Sequence, residues 1–340
     1  FKMVLSDQIA EVQVVDVIWT PSKDGYLKPR VQVKPVVLGG AKIEYATGFN
    51  AKFIKDNNIG VGSLIKLVRS GDVIPHIMEV IRPSTEPMMP NVPYKWNDTN
   101  VDIQLINKTE NVTVQKKVIT GFFKGIGVDG MGPGIVNKLV NAGYNTVPKI
   151  LKMEQQDFLQ LEGFKQKLSD KIYNGINKKI NSATLPELMN ATNIFGRGFG
   201  VKKIKSILSD LPDILVSEDS KQEKIDKVKS IDGMAKKTAT SFVNKIDEFK
   251  QFMSEAGMLD KLVYTKTPVS TSKKSHPLYE KRIVMTGFRD KALVKLLESI
   301  GAINGSSVSK KTFVVLVKDI DEDTGKAEQA RQLGIKLKTP

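Results

Sequence analysis

Apolar and polar positions alternate with a two-residue period through the first part of the chain. Val31 and Val33 alternate with Arg30, Gln32 and Lys34. Ile9 to Trp19 is rich in Val and Ile, and Leu64 to Val68 alternates before Ser70-Gly71. This spacing predicts half-buried strands, and many short strands around one apolar face predict a small all-β barrel over residues 1–85. Pro83, Pro87, Pro90 and Pro93 then break the pattern. Residues 86–118 read as a connector holding a short strand pair, around Val101–Leu105 and Val112–Val118. Over 119–262 the apolar period becomes 3.6, that of an all-α domain. Residues 263–279, with Ser270, Ser272, Lys273, Lys274 and Ser275, read as a flexible linker. Residues 280–340 alternate strand and helix (Arg282–Thr286, Leu293–Ile300, Phe313–Val317, Lys326–Leu333), which predicts an α/β unit with a parallel sheet. The expected fold class is multidomain: all-β barrel, all-α domain, α/β unit.

The helical region contains an internal repeat. Its anchors are Gly130 in Val128-Asp-Gly-Met-Gly-Pro, Gly163 in Leu161-Glu-Gly-Phe-Lys, Gly198 in Arg197-Gly-Phe-Gly and Gly233 in Ile231-Asp-Gly-Met-Ala, at spacings of 33, 35 and 35 residues. Each is followed by a helix with one apolar face: Val136 and Leu139 after the first, Ile172 and Ile176 after the second, Ile204 and Ile207 after the third, Phe242 and Val243 after the fourth. A Gly-apolar-Gly turn lets the backbone take positive φ while its middle residue plugs into the core. The N–H groups that open the next helix then face outward, where the helix dipole favours a phosphate. Lys165, Lys167, Lys202, Lys203, Lys236 and Lys237 follow closely enough to complete such a contact. Gly130, Gly132, Gly163, Gly198, Gly200 and Gly233, with Lys165, Lys202, Lys203 and Lys236, are therefore candidate phosphate contacts. The pattern resembles tandem helix-hairpin-helix motifs, a resemblance that implies a grip on the DNA backbone. The second and fourth copies carry Lys165 and Ala235 at the second glycine position, which points to a packing role for those hairpins.

Charge and composition narrow the class. The 340 residues carry a net +15, of which +8 falls within 116–250 and +6 within 251–340. A basic surface of this size attracts polyanions and releases counterions from nucleic acid. The absence of Cys excludes disulfides, iron–sulfur clusters, Cys-ligated zinc and thiol nucleophiles. With only His76 and His276 as imidazoles, a His-rich metal site or a serine-type triad is disfavoured, and the apolar runs are too short to span a bilayer. The start at Phe1-Lys2-Met3 is not a signal peptide and reads as a fragment. The expectation is a basic intracellular protein without a membrane partner.

One string, Val68-Arg-Ser-Gly-Asp-Val-Ile-Pro-His, is the sharpest in the chain. With Pro35-Val-Val-Leu-Gly-Gly and Tyr45-Ala-Thr-Gly-Phe-Asn before it, it resembles the OB-fold domain of NAD-dependent DNA ligases, the bacterial-type enzymes. The resemblance continues in order. Val128-Asp-Gly-Met-Gly is similar to that family's first helix-hairpin-helix turn. Arg282-Ile-Val-Met-Thr-Gly, Gly301-Ala and Ser309-Lys-Lys-Thr resemble a BRCT domain, which here stops short of its last helix. The family normally has a four-Cys zinc site between barrel and hairpins. Residues 86–118 contain no Cys, so the resemblance is to a divergent, zinc-free member, for which a viral source is one expectation.

The resemblance implies that Arg69, Val73 and Ile74 contact DNA around a nick, Arg69 at a phosphate and the two apolar residues on sugar faces. By themselves, Val73 and Ile74 read better as core residues after a turn. Lys2 matches a motif whose lysine touches the AMP phosphate in catalysis; a solvated terminal lysine is the alternative. Thr286, Gly287 and Lys326 form a candidate phosphate pocket. The K-x-D-G nucleophile of the family is absent, since Lys23-Asp-Gly lacks the spacer. The implied protein is the nick-clamping portion of a ligase for replication and repair. Its parent uses NAD and Mg2+, and it binds nicked duplex DNA as a monomer, without sequence preference, in the cytoplasm or nucleoid or at a viral replication site. It should be inactive alone. A noncatalytic scaffold that binds nicked DNA and recruits repair partners is the alternative.

Overall fold

The computed structural model describes residues 8–69, 74–265 and 276–339. The chain divides into two compact units, 1–264 and 265–340. The first unit begins with β1 (Ile9–Pro21), β2 (Tyr26–Leu38), β3 (Ala41–Thr47), helix α1 (Ala51–Asp56), β4 (Leu64–Val68) and β5 (His76–Arg82). β1 pairs antiparallel with both β2 and β4, β2 with β3, and β4 with β5; a parallel step, Thr47 opposite His76, joins β3 to β5. The sheet therefore closes into a five-stranded barrel of OB type. Register shifts at Val14/Asp16 and Gln32/Val36 mark bulges that bend β1 and β2, which each serve two neighbours within the barrel. Val12, Val14, Val31, Val33, Ile65 and Leu67 fill the interior, and Ile54 of α1 adds to it.

The connector departs in part from expectation. Tyr94–Trp96 (β6) and Ile103–Leu105 (β7) form the strand pair, and β7 extends the sheet by pairing with β2 at Leu27. Val112–Val118 is not its partner but opens a helix, α2 (Val112–Gly125). The β-branched run suggested a strand, yet the Asn111 side chain accepts the Val114 N–H, and Val114, Ile119, Phe122 and Phe123 are buried on one helical face. Tertiary burial of that stripe overrides the local β preference.

After α2 the described residues of this unit form α3 (Pro133–Asn141), α4 (Val147–Leu151), α5 (Gln155–Leu159), α6 (Gln166–Ser182), α7 (Leu185–Thr192), α8 (Val201–Asp210), α9 (Lys221–Lys229), α10 (Lys236–Val243) and α11 (Ile246–Glu255). These helices share one continuous core, in which Phe195 stacks on Phe242 at 5.0 Å between ring centres.

The second unit is a four-stranded parallel sheet ordered β11-β10-β8-β9. Its elements are β8 (Arg282–Met285), α12 (Lys291–Ser299), β9 (Ile303–Gly305), β10 (Thr312–Leu316), α13 (Gly325–Gln332) and β11 (Leu337–Lys338). Alternate strand residues face opposite sides. Val284 and Val315 pack with Ala327 and Ala330 of α13, while Ile283 and Val314 pack with Leu297 of α12.

Candidate nucleic-acid interface

The four repeats share one local geometry. Gly130, Gly163, Gly198 and Gly233 have φ of 87°, 74°, 92° and 78°, a region that L side chains rarely enter. The next residue, Met131, Phe164, Phe199 or Met234, is buried in the core. The one after that, Gly132, Lys165, Gly200 or Ala235, is the extended N-cap of α3, α6, α8 or α10.

These four helix starts differ from their partners. None has a side-chain cap, and none has an acidic residue in its first turn. The first helix of every hairpin is closed by its own side chains. Asn111 caps α2, and Asp157 accepts the Glu154 N–H at 2.8 Å before α5. Glu187 accepts the Thr184 N–H at 2.8 Å before α7. At α9, Ser220 and Glu223 bond each other's backbone N–H reciprocally. Those bonds hold the Glu223 carboxyl below its usual range, the Ser220 hydroxyl being the main cause. Nearby, a hydrogen bond from Lys227 does the same to Asp219. Acids thus serve three of the four first helices, α5, α7 and α9, while the second helices keep uncapped N–H groups, three of them with lysines nearby.

The hairpins are not equally open. A Cβ at Gly132, Gly198, Gly200 or Gly233 would meet nothing within 4 Å. At the second hairpin the Lys138 ammonium donates to the Glu162 carbonyl at 2.8 Å, beside Gly163. At the first, Gly130 faces Ile172 of α6. Lys203 lies 5.8 Å from the ring centre of Phe199, the residue that plugs its own turn.

On the barrel, Ile74 is 72% exposed, so it is a surface residue and not a core residue after a turn. The Arg69 guanidinium donates to the Leu38 and Gly39 carbonyls of the β2–β3 turn at 3.5 Å. Val73 and Lys2 lie outside the described residues.

Barrel and hairpins meet at a junction that sequence reasoning missed. The Asp24 carboxylate, in the β1–β2 loop, accepts the Asn193 amide at 2.5 Å and sits 3.7 Å from the Arg197 guanidinium, which also stacks on Tyr26. Its carbonyl accepts the Gln104 side chain at 2.7 Å. Asp24 therefore ties the third hairpin to barrel and connector. Its only sequence signal was Lys23-Asp-Gly, a string that invites a nucleotide-binding reading.

In the second unit, Thr286, Gly287 and Lys326 do line one open cavity, of about 790 Å³, with Asp290 and Glu298. The Thr286 hydroxyl bonds Thr324 at 2.9 Å, and the Glu322 carboxylate lies against Gly287.

Comparison with known proteins bears on this arrangement. Residues 11–88 match the profile of the OB-fold domain of NAD-dependent DNA ligases, and 126–178 match a tandem helix-hairpin-helix profile. Over 95% of its length the chain is 40% identical to a DNA ligase of Acanthamoeba polyphaga mimivirus. It is 30% identical over 99% of its length to a provisionally named DNA ligase of Invertebrate iridescent virus 6. The chain is thus similar to NAD-dependent DNA ligases in its barrel and to viral proteins named DNA ligases along nearly its whole length. It spans about half the length of these viral relatives, 51% and 52%.

The connector between barrel and hairpins contains no Cys. The β6–β7 hairpin is held by apolar packing of Ile103, Leu105 and Val114 against Leu27, Trp19 and Trp96. Among the described residues, no group of three or more His, Asp or Glu is placed to hold a metal ion, and no helix is long and apolar enough to cross a membrane.

Proposed function

We propose that this chain is the DNA-gripping portion of an NAD-dependent DNA ligase, one that holds nicked duplex DNA by its backbone without reading sequence. The observation that carries this is the contrast between capped and open helix starts within one domain. Each of the four open ends presents N–H donors to an external anion, and lysines accompany three of them. Regularly spaced phosphates fit such a set. The exposed Ile74 supplies an apolar contact for a sugar face on the barrel side.

Ligation of this kind proceeds in three steps. In the parent, a lysine would take AMP from NAD with release of nicotinamide mononucleotide. The AMP would pass to the 5′-phosphate at the nick, and the 3′-hydroxyl would attack that phosphate and release AMP. The chain has no K-x-D-G lysine. The parent would use NAD and Mg2+ for these steps. By this reading the chain binds nicks but does not self-adenylate, and Lys2 belongs to the parent's catalytic lysines. The second unit fits a BRCT domain in the order of its strands and helices. A role in supporting DNA binding suits the net +6 carried by residues 251–340. Given the viral relatives, a site of viral DNA synthesis, for replication and repair, suits such an activity, with the chain acting as a monomer.

The test is binding of the 340-residue chain to nicked duplexes of unrelated sequence across a salt series. The expected result is one steep salt slope shared by all sequences, reduced by about one counterion in Arg69→Ala. A flat salt response, or affinity that follows sequence, would overturn the proposal.

A further inference from the structure

Five non-glycine residues among those described have positive φ: Asn58, Asn100, Asn193, Glu280 and Phe49, the last at 58°. Asparagine tolerates this region because its short amide bonds the local backbone. Phe49 has no such means, and it is the one large apolar side chain of the five, 43% exposed. A bulky residue held this way in the open is a candidate functional site.

The neighbouring chain explains how Phe49 is held. The Gly48 N–H donates to the Pro29 carbonyl at 3.2 Å, and a Cβ on Gly48 would lie 2.9 Å from the Pro29 ring. The glycine is thus needed for close approach at 48, one residue before the positive-φ position. The Phe49 N–H donates to the Thr47 hydroxyl at 3.2 Å, and Asn50 caps α1 through the Phe53 N–H at 2.8 Å. The ring stands edge-on to Phe53 at 4.7 Å and to His76 at 6.5 Å between centres. Thr47 lies opposite His76 on one side and Arg30 on the other, and its N–H donates to the Pro75 carbonyl at 3.1 Å. Arg30 stacks over Tyr45 at 4.1 Å. One outer part of the barrel therefore gathers an exposed aromatic ring, an imidazole and a guanidinium, with exposed Ile74 two residues before His76.

We propose that Phe49 is the nick-sensing wedge of this chain: its ring enters the interrupted base step while Ile74 rests on an adjacent sugar. This inference rests on the DNA-binding reading above. Apolar side chains kink duplexes by entering a base step, and the unstacking they must drive costs least where the backbone is already broken. A ring whose backbone is fixed on both sides, and which keeps its exposure despite an unfavourable φ, suits that task. Arg30 lies within the same surface to meet a flanking phosphate.

Two variants test it, Phe49→Gly and Phe49→Asn, because both residues accept φ near 58° without strain. Affinity of the 340-residue chain for a nicked duplex and for the same duplex unbroken is measured by fluorescence anisotropy, alongside the melting temperature. The expected result is a melting temperature equal to or above that of the parent. Nicked-duplex affinity falls about tenfold, as for loss of one base–aromatic contact, while intact-duplex affinity holds within about twofold. Unchanged affinity for both duplexes overturns the wedge and assigns the ring to a protein surface. A lower melting temperature with both affinities reduced in parallel overturns it in favour of a packing role. Failure of the unsubstituted chain to bind nicked DNA would instead remove the DNA-binding reading itself.

Discussion

Gly198 and Gly132 occupy the same turn in different copies yet do different work. Gly198 has φ of 92°, and a methyl group there would meet no neighbour, so the whole cost of adding one is backbone strain. Gly132 has φ of −80°, also in open space, and the fourth copy already has Ala235 at that place. Gly198→Ala is therefore expected to destabilise the first unit by about 1–2 kcal/mol. In Gly132→Ala the weaker cap is offset by a less flexible unfolded chain, for a net change of well under ~1 kcal/mol. Urea denaturation of the two variants checks the contrast. Equal losses would mean that the first glycine of the turn is not chosen for its φ. At this scale the sequence was informative, because a left-handed turn leaves a glycine at a fixed spacing. It was silent on Asp24, whose role depends on Asn193 and Arg197 arriving from far along the chain.

The hairpin is the element at which stability and binding can be separated. Lys202 sits exposed in the first turn of α8, whose N-terminus has no cap and no acid. Placing an acid there suits the helix dipole but opposes a phosphate. Lys202→Glu is therefore expected to leave the melting temperature unchanged or slightly raised. Nicked-duplex affinity should drop by on the order of tenfold, the loss of about one charge-assisted contact. Calorimetry and anisotropy on the same preparation decide it. A variant that loses both would show that Lys202 supports the fold. Elements with a strong period were legible: β1, β4 and the second helix of every hairpin lie where the apolar spacing put them. The misread element was α2, where Val112, Thr113, Val114 and Val118 imitate a strand. The face that makes it helical is completed only by Ile119, Phe122 and Phe123 packing into the shared core.

Each of the two units has buried core residues of its own among the described residues. Phe242 is fully buried among the hairpin helices, and Val284 is fully buried in the four-stranded sheet. Calorimetry of the intact chain is expected to show two transitions. Phe242→Ala, costing about 3–5 kcal/mol for a large buried ring, should lower one and leave the other in place. Val284→Ala should lower only the other. A single transition shifted by both variants would mean that the units fold cooperatively.

Taken alone, the sequence determined the features that periodicity and composition dictate: a β-barrel, four glycine-anchored hairpins, an α/β unit, and a positive charge concentrated in the middle and C-terminal thirds. These are local properties, since a turn that needs positive φ, or a helix that buries one face, writes its requirement into nearby residues. Only the tertiary structure decided which groups meet. It closed the barrel through a single parallel step at Thr47 and His76, and it seated the third hairpin on Asp24. It laid a carboxylate over Gly287 and held Phe49 open beside His76. Those outcomes depend on contacts between residues far apart in the chain, and no spacing records them. The clearest case is the set of helix starts. Their residues could be listed in advance, but which remained open and which were closed by their own acids became evident only once the side chains were placed.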